Sequence, residues 1–159
     1  MIIKTFELEK KDLKNKQYFL FYGENQGHKN EIIEKKFKSN YSNNTYNFEE
    51  NDILSNKESF FNDIFSKSFF ENEKLIIINR ATDKLINIIE EIIEKKITDL
   101  TIVFNANILE KKSKIRTLFE KSKETICVPF YADSSQTLMS IINIFFREKK
   151  IPISQQAIN

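Results

Sequence analysis

Along the chain, short unbroken apolar runs alternate with stretches of helical period. Gln17-Tyr-Phe-Leu-Phe-Tyr22 carries no charge and is stopped by Gly23, the pattern of a strand covered on both faces. From Gly27 to Lys38, Ile32, Ile33 and Phe37 recur at helical spacing with charges between them. A weaker strand is predicted over Thr45–Phe48, inside an Asn-rich stretch read as loop from about Ser39. Phe60, Phe61, Ile64 and Phe65 form the i, i+1, i+4, i+5 set of a short amphipathic helix over Lys57–Lys67. Lys74–Ile78 reads as strand. A helix over Asp83–Lys95 turns Leu85, Ile88, Ile89, Ile92 and Ile93 inward, with Thr82 or Asp83 available as its cap. Leu100–Phe104 is the next strand, and Ser113–Lys121 is a basic helix with Ile115, Leu118 and Phe119 inward. Thr125–Val128 closes the series and is ended by Pro129.

Strands separated by helices imply right-handed βαβ crossovers. The expected class is therefore α/β: a three-layer, mostly parallel, five-stranded sheet over residues 1–132. Beyond Tyr131 the pattern changes. Asp133-Ser-Ser is a capping signal, and Leu138, Ile141, Ile142 and Phe145 mark one face of a helix running to about Lys150. Ile151-Pro-Ile-Ser154 breaks it, and residues 133–159 are read as the beginning of a small helical domain.

Composition narrows the function classes. A chain of 159 residues that is 40% hydrophobic has room for one sizeable core and an appendage. Lys+Arg 25 against Asp+Glu 23 leaves no strong field to recruit nucleic acid or an anionic membrane. The single Cys127 makes no internal disulfide, which fits a reducing compartment, so a cytoplasmic location is expected. No run approaches the ~20 apolar residues of a membrane span, and the first residues lack the apolar core of an export signal.

The candidate chemistry begins at Gly23-Glu-Asn-Gln-Gly-His-Lys-Asn30, which follows the first strand and opens a helix, where phosphate-binding loops sit. A working loop needs Gly-x-x-x-x-Gly-Lys and then Ser or Thr. Its amides cradle phosphates, its lysine reaches the terminal ones and its hydroxyl holds magnesium. Here Gly23 and Gly27 are one residue too close, His28 separates Gly27 from Lys29, and Asn30 replaces the hydroxyl. The third strand is followed by Asn79-Arg80, where a metal-holding acid belongs. Asn105 stands where such ATPases place a polar sensor, and is read as a turn residue.

The lone His28 has no second ligand nearby and is read as a solvated side chain. Cys127 is read as a buried thiol, and Glu90, Glu91 and Glu94 with Lys95 and Lys96 as a solvated helix face. No cofactor and no metal is expected. Two alternatives stay open: an ATP-binding nucleotidase or kinase built on Lys29, and a nucleic-acid binder using Lys111, Lys112, Lys114 and Arg116.

Several motifs occur in order over almost the whole chain: Tyr18-Phe-Leu-Phe-Tyr-Gly-Glu24, Ser68-Phe-Phe70 before Lys74-Leu-Ile-Ile-Ile-Asn-Arg80, Leu109-Glu-Lys-Lys-Ser-Lys114, Val128-Pro-Phe130 and Arg147-Glu-Lys-Lys-Ile-Pro-Ile153. Together they resemble the delta subunit of the bacterial DNA polymerase III clamp loader, an AAA+ protein. The resemblance implies an AAA+-like first domain that has lost nucleotide binding, a helical second domain and a C-terminal collar domain. The chain would then be a fragment or a truncated relative. The partners implied are the sliding clamp (beta subunit) and the gamma/tau and delta prime subunits of the loader, with DNA met only indirectly. No catalytic site is implied in this part of the polymerase holoenzyme. In the family, an element before the third strand wedges into a pocket on the clamp, and Ser68, Phe69 and Phe70 match it. From the residues alone, two adjacent phenylalanines at a helix-to-strand turn either anchor an interface or cap the core.

Overall fold

The computed structural model describes residues 1–11, 13, 15–41, 44–65 and 73–152. Its centre is a five-stranded sheet: β1 (Tyr18–Tyr22), β2 (Thr45–Glu49), β3 (Lys74–Asn79), β4 (Leu100–Asn105) and β5 (Thr125–Pro129). All pairings are parallel, in the order β2-β3-β4-β1-β5, so the sheet is wholly parallel. β1 lies inside it, with Tyr18 in register with both Ile102 of β4 and Thr125 of β5.

The helices are α1 (Thr5–Lys10), α2 (Gln26–Ile32), α3 (Ser39–Tyr41), α4 (Glu50–Ser55), α5 (Lys57–Phe65), α6 (Ile86–Glu94), α7 (Lys114–Lys121) and α8 (Ser135–Glu148). Alternate strand residues feed two cores. Tyr18, Leu20, Ile76, Ile78, Ile102, Phe104 and Cys127 point to one face, where they meet Phe60 and Ile64 of α5, Ile88, Ile89 and Ile92 of α6, and Ile115 and Phe119 of α7. Phe19, Phe21, Leu75, Ile77, Val103, Ile126 and Val128 point to the other, against Leu8 of α1, Ile32 of α2, and Ile33 and Phe37 beyond it. Both faces are covered, which is why the strands read as continuous apolar runs rather than alternating ones. Steps β2→β3→β4 and β4→β5 run one way across the sheet with α5, α6 and α7 on one face. The step β1→β2 runs the other way with α2 on the opposite face. A single crossover hand demands that arrangement.

The expected class and all five strands are present, and the differences are local. Ser39–Tyr41, expected in a loop, is helical: α2 continues through a π-helical stretch (Ile33–Lys38) into α3. Two helices carried no signal. α1 buries only Leu8 among its described side chains, and α4 a single apolar residue, Ile53, so neither shows a period. Pro129 is the last residue of β5, opposite Tyr22, rather than a residue beyond it. Ile2 bridges Cys127 on the outer side of β5, so the sheet edge there is covered. Among the described residues no helix is long and apolar enough to cross a membrane.

Candidate functional site

The connections leaving β1 and β4 run to opposite sides, so the crevice at their carboxyl ends is the point at which ligands enter open α/β sheets. The degenerate phosphate loop lies there. Gly23 sits at φ 127°, and a Cβ on it would stand 2.1 Å from the Phe130 carbonyl oxygen, so only glycine fits. The close approach of the chain beyond β5 fixes this residue. A Cβ on Gly27 would meet nothing nearer than Asn25 Oδ1 at 3.8 Å, so no contact demands glycine at the second position.

Several of the amides a phosphate would need are already committed. Gly23 N donates to Asn107 O at 3.1 Å, Asn25 N to Phe130 O at 3.3 Å and Gln26 N to Glu24 O at 2.8 Å. His28 N donates to Asn25 Oδ1 at 3.0 Å, which caps α2, and Asn25 Nδ2 donates to Asp133 Oδ2 at 2.8 Å. His28 is half-buried, not solvated, with its ring centre 5.3 Å from that of Phe130 in an edge-to-face contact.

Lys29 fills the crevice. Its side chain is fully buried, and Nζ donates to Gly23 O at 3.0 Å and Ala106 O at 2.6 Å, tying the segment after β1 to the segment after β4. Burial pushes its ammonium below the ordinary lysine value of 10.5. The lysine of this degenerate loop, not expected to bind phosphate, is turned inward onto backbone oxygens.

The end of β3 has a comparable arrangement. Asn105 Nδ2 donates to Asn79 Oδ1 at 3.2 Å, so Asn105 joins the ends of β4 and β3. Arg80 takes φ 56° and projects into solvent, with its Nε 3.5 Å from Glu49 Oε2. The chain position after β3 that carries a metal-holding carboxylate in such an ATPase is thus occupied by a solvent-directed arginine. Among the described residues no three His, Cys, Asp or Glu side chains converge as metal ligands.

The basic segment does not form one cationic face. Arg116 is mostly buried: it donates to Glu120 Oε1 at 2.7 Å and Leu109 O at 3.1 Å, with its guanidinium 4.9 Å from the Tyr22 ring. Lys112 pairs with Glu110 at 3.0 Å. Asp83, considered as a cap for its own helix, instead receives Ser113 Oγ at 2.6 Å and Ile115 N at 3.0 Å, anchoring the start of α7. Thr82 caps the turn at Asp83–Leu85 by accepting from Lys84 N. Burial alone would raise the Asp83 carboxyl, but these donors hold it below its usual value. Cys127 is buried, and desolvation pushes its thiol up to about 12, as expected of an inert core residue. Ser68, Phe69 and Phe70 lie outside the described residues.

No protein-family model matches the chain, and no curated protein matches it either. Among solved structures, the chain is similar to the Bacillus subtilis DNA clamp loader delta protein (YqeN), with a TM-score of 0.57 and 14% sequence identity over 89% of this chain. The likeness covers 46% of that protein, so the chain spans about half its length. The two share a fold, here a wholly parallel five-stranded α/β sheet.

Proposed function

We propose that the chain is a non-catalytic clamp-loader delta-type module that binds a sliding clamp and favours its open form. The observation that carries this reading is the filled crevice: on a fold shared with a clamp loader delta protein, Lys29 occupies the switch point and holds backbone oxygens instead of facing a ligand. A scaffold of this kind would present a surface without turning over nucleotide, leaving energy input to other loader subunits. Ser68, Phe69 and Phe70 are proposed as the clamp-contacting element. Their place in the chain, directly after α5 and before β3, supports the assignment, because the two flanking elements belong to one packed core.

In this reading, tighter binding to the open ring than to the closed one shifts the clamp's population, as any ligand-driven change requires. The boundary near Asp133 is part of the same proposal, with α8 as the first helix of a helical domain. None of its residues is buried, and Leu138, Ile141 and Phe145 are about half exposed.

The decisive experiment is a binding measurement between this chain and the sliding clamp of its own organism. Binding that is unaffected by ATP and magnesium is expected. No interaction at about tens of micromolar would overturn the proposal, since an isolated subunit contact of useful strength lies at or below that range.

A further inference from the structure

The filled switch point is not the molecule's only concavity. At the opposite, amino-terminal ends of the strands, on the α1–α2 face, lies an open cleft of about 450 Å³, within the size range of small-molecule sites. Its floor is the exposed margin of a buried aromatic pair: Phe19 of β1, 2% exposed, and Phe37, 6% exposed, meet edge-to-face with ring centres 4.9 Å apart. Its wall carries two hydroxyls, Tyr41 Oη and Thr101 Oγ1, 2.7 Å apart. One proton serves the bond between them, so the pair retains a second O–H to donate.

The rim is cationic. Lys11, Lys16 and Lys36 line it, Lys11 paired with Glu7 at 3.5 Å, against one carboxylate among the described residues of the lining, Glu73. Lys16 Nζ is held by Lys123 O at 2.6 Å, and Lys36 Nζ by the carbonyl oxygens of Leu8 and Lys11. Carbonyl partners fix the positions of these ammonium groups without neutralising their charge. An aromatic floor, a spare hydroxyl donor and fixed positive charge are the complement of a flat ring bearing an anion.

We propose that this cleft binds a small organic anion of that class, a ring-bearing monophosphate of nucleotide size. The ring lies against Phe37 and the phosphate meets Lys16 and Lys36. The site is separate from the crevice at Lys29 and does not depend on the clamp-loader reading.

The test uses adenosine monophosphate as the probe, with adenosine and inorganic phosphate as separate arms, followed by amide chemical shifts of the whole chain and by calorimetry. The expected result is a set of shifts at Asn40, Tyr41 and Thr101, and affinity for the monophosphate at least about tenfold above either part alone, since ring and phosphate contribute together. The double change Lys16→Gln, Lys36→Gln should weaken binding by about tenfold or more in a variant whose amide spectrum shows it folded. Tyr41→Phe, a milder change, should weaken it less and keeps the test valid if the double variant does not fold. An equal response to inorganic phosphate, shifts confined to residues 23–29, or no shifts at millimolar probe would each overturn the proposal.

Discussion

Replacing Lys29 tests the filled crevice directly, because the two roles open to this lysine predict opposite signs. In the structure its ammonium holds Gly23 O and Ala106 O, and its stem is enclosed. Lys29→Ala strands both carbonyl groups, each at about 1–3 kcal/mol, so a loss of about 2–6 kcal/mol is expected. That is a large share of the ~5–15 kcal/mol that holds a domain folded. For a chain of this size it corresponds to a fall of roughly 4–24 °C in Tm. Lys29→Met keeps most of the stem and removes a buried charge, so it should cost less than the alanine change. A lysine kept for phosphate would behave otherwise: its removal from the ligand-free protein would leave stability unchanged or improved. Urea unfolding of the three proteins, with the slope checked for constancy, gives the sign. Thermal melts with and without ATP and magnesium give the second coordinate, since a ligand of the native state raises Tm. An alanine variant as stable as the parent, or a parent stabilised by ATP in a way the variant is not, would refute the structural role.

Changing Phe69 and Phe70 together to alanine should abolish most clamp affinity and leave the melt nearly unchanged if they form the contact; if they are core residues, a loss of ~3–5 kcal/mol for each is expected instead. Gly23→Ala should cost at least about 2 kcal/mol, because the residue sits at φ 127° with a Cβ 2.1 Å from Phe130 O, whereas Gly27→Ala, in a helix and unobstructed, should be neutral or stabilise by up to about 1 kcal/mol. A phosphate-cradling loop would need both glycines, so equal sensitivity at the two sites would contradict this account. Asp83→Asn should lower stability at neutral pH by about 1 kcal/mol, the worth of a helix cap. Because the native carboxyl titrates below its free value of 3.8, that contribution is present above 3.8 and lost as pH falls through the native value, so the acid limb of the parent should be steeper than the variant's. The Cys127 thiol is pushed the other way by burial, from 9.0 to about 12. The unfolded chain then loses this proton first, and stability declines as pH rises above 9.0, by at most about 1.4 kcal/mol per pH unit; Cys127→Ala should flatten that alkaline limb in chemical denaturation.

The sheet was legible because both of its faces are buried. β1, β3, β4 and β5 are apolar on consecutive residues, and helices with two or more inward rows, such as α6 with Ile88, Ile89 and Ile92, write their period into the sequence. Elements that bury little left no such trace. α4 hides Ile53 and the carboxylate of Glu50, which accepts from Thr82 N at 2.7 Å and from its hydroxyl. That is a long-range polar contact with no signature in local spacing. α1 is held by Leu8 and by the pairing of Ile2 and Ile3 with Cys127, again a tertiary rather than a periodic constraint. In the same way Asp83 reads as the cap of the helix it begins, yet it serves one that starts thirty residues later.

The loop at Gly23–Lys29 marks where spacing stops being informative about chemistry. Its glycine count and order suggested a decayed phosphate cradle, and the crevice at the ends of β1 and β4 is where such a cradle would lie. What no spacing could convey is direction. Gly23 is required by the carbonyl of Phe130, which comes close only after β5 has paired beside β1, and Lys29 turns inward because two carbonyl oxygens from separate strands converge there. A glycine and a lysine that read as remnants of nucleotide binding therefore have present structural duties, and those duties are enough to account for them. Losing Lys29 would strand the buried Ala106 carbonyl and the part-buried Gly23 carbonyl, so folding alone gives the residue a duty whether or not any phosphate enters.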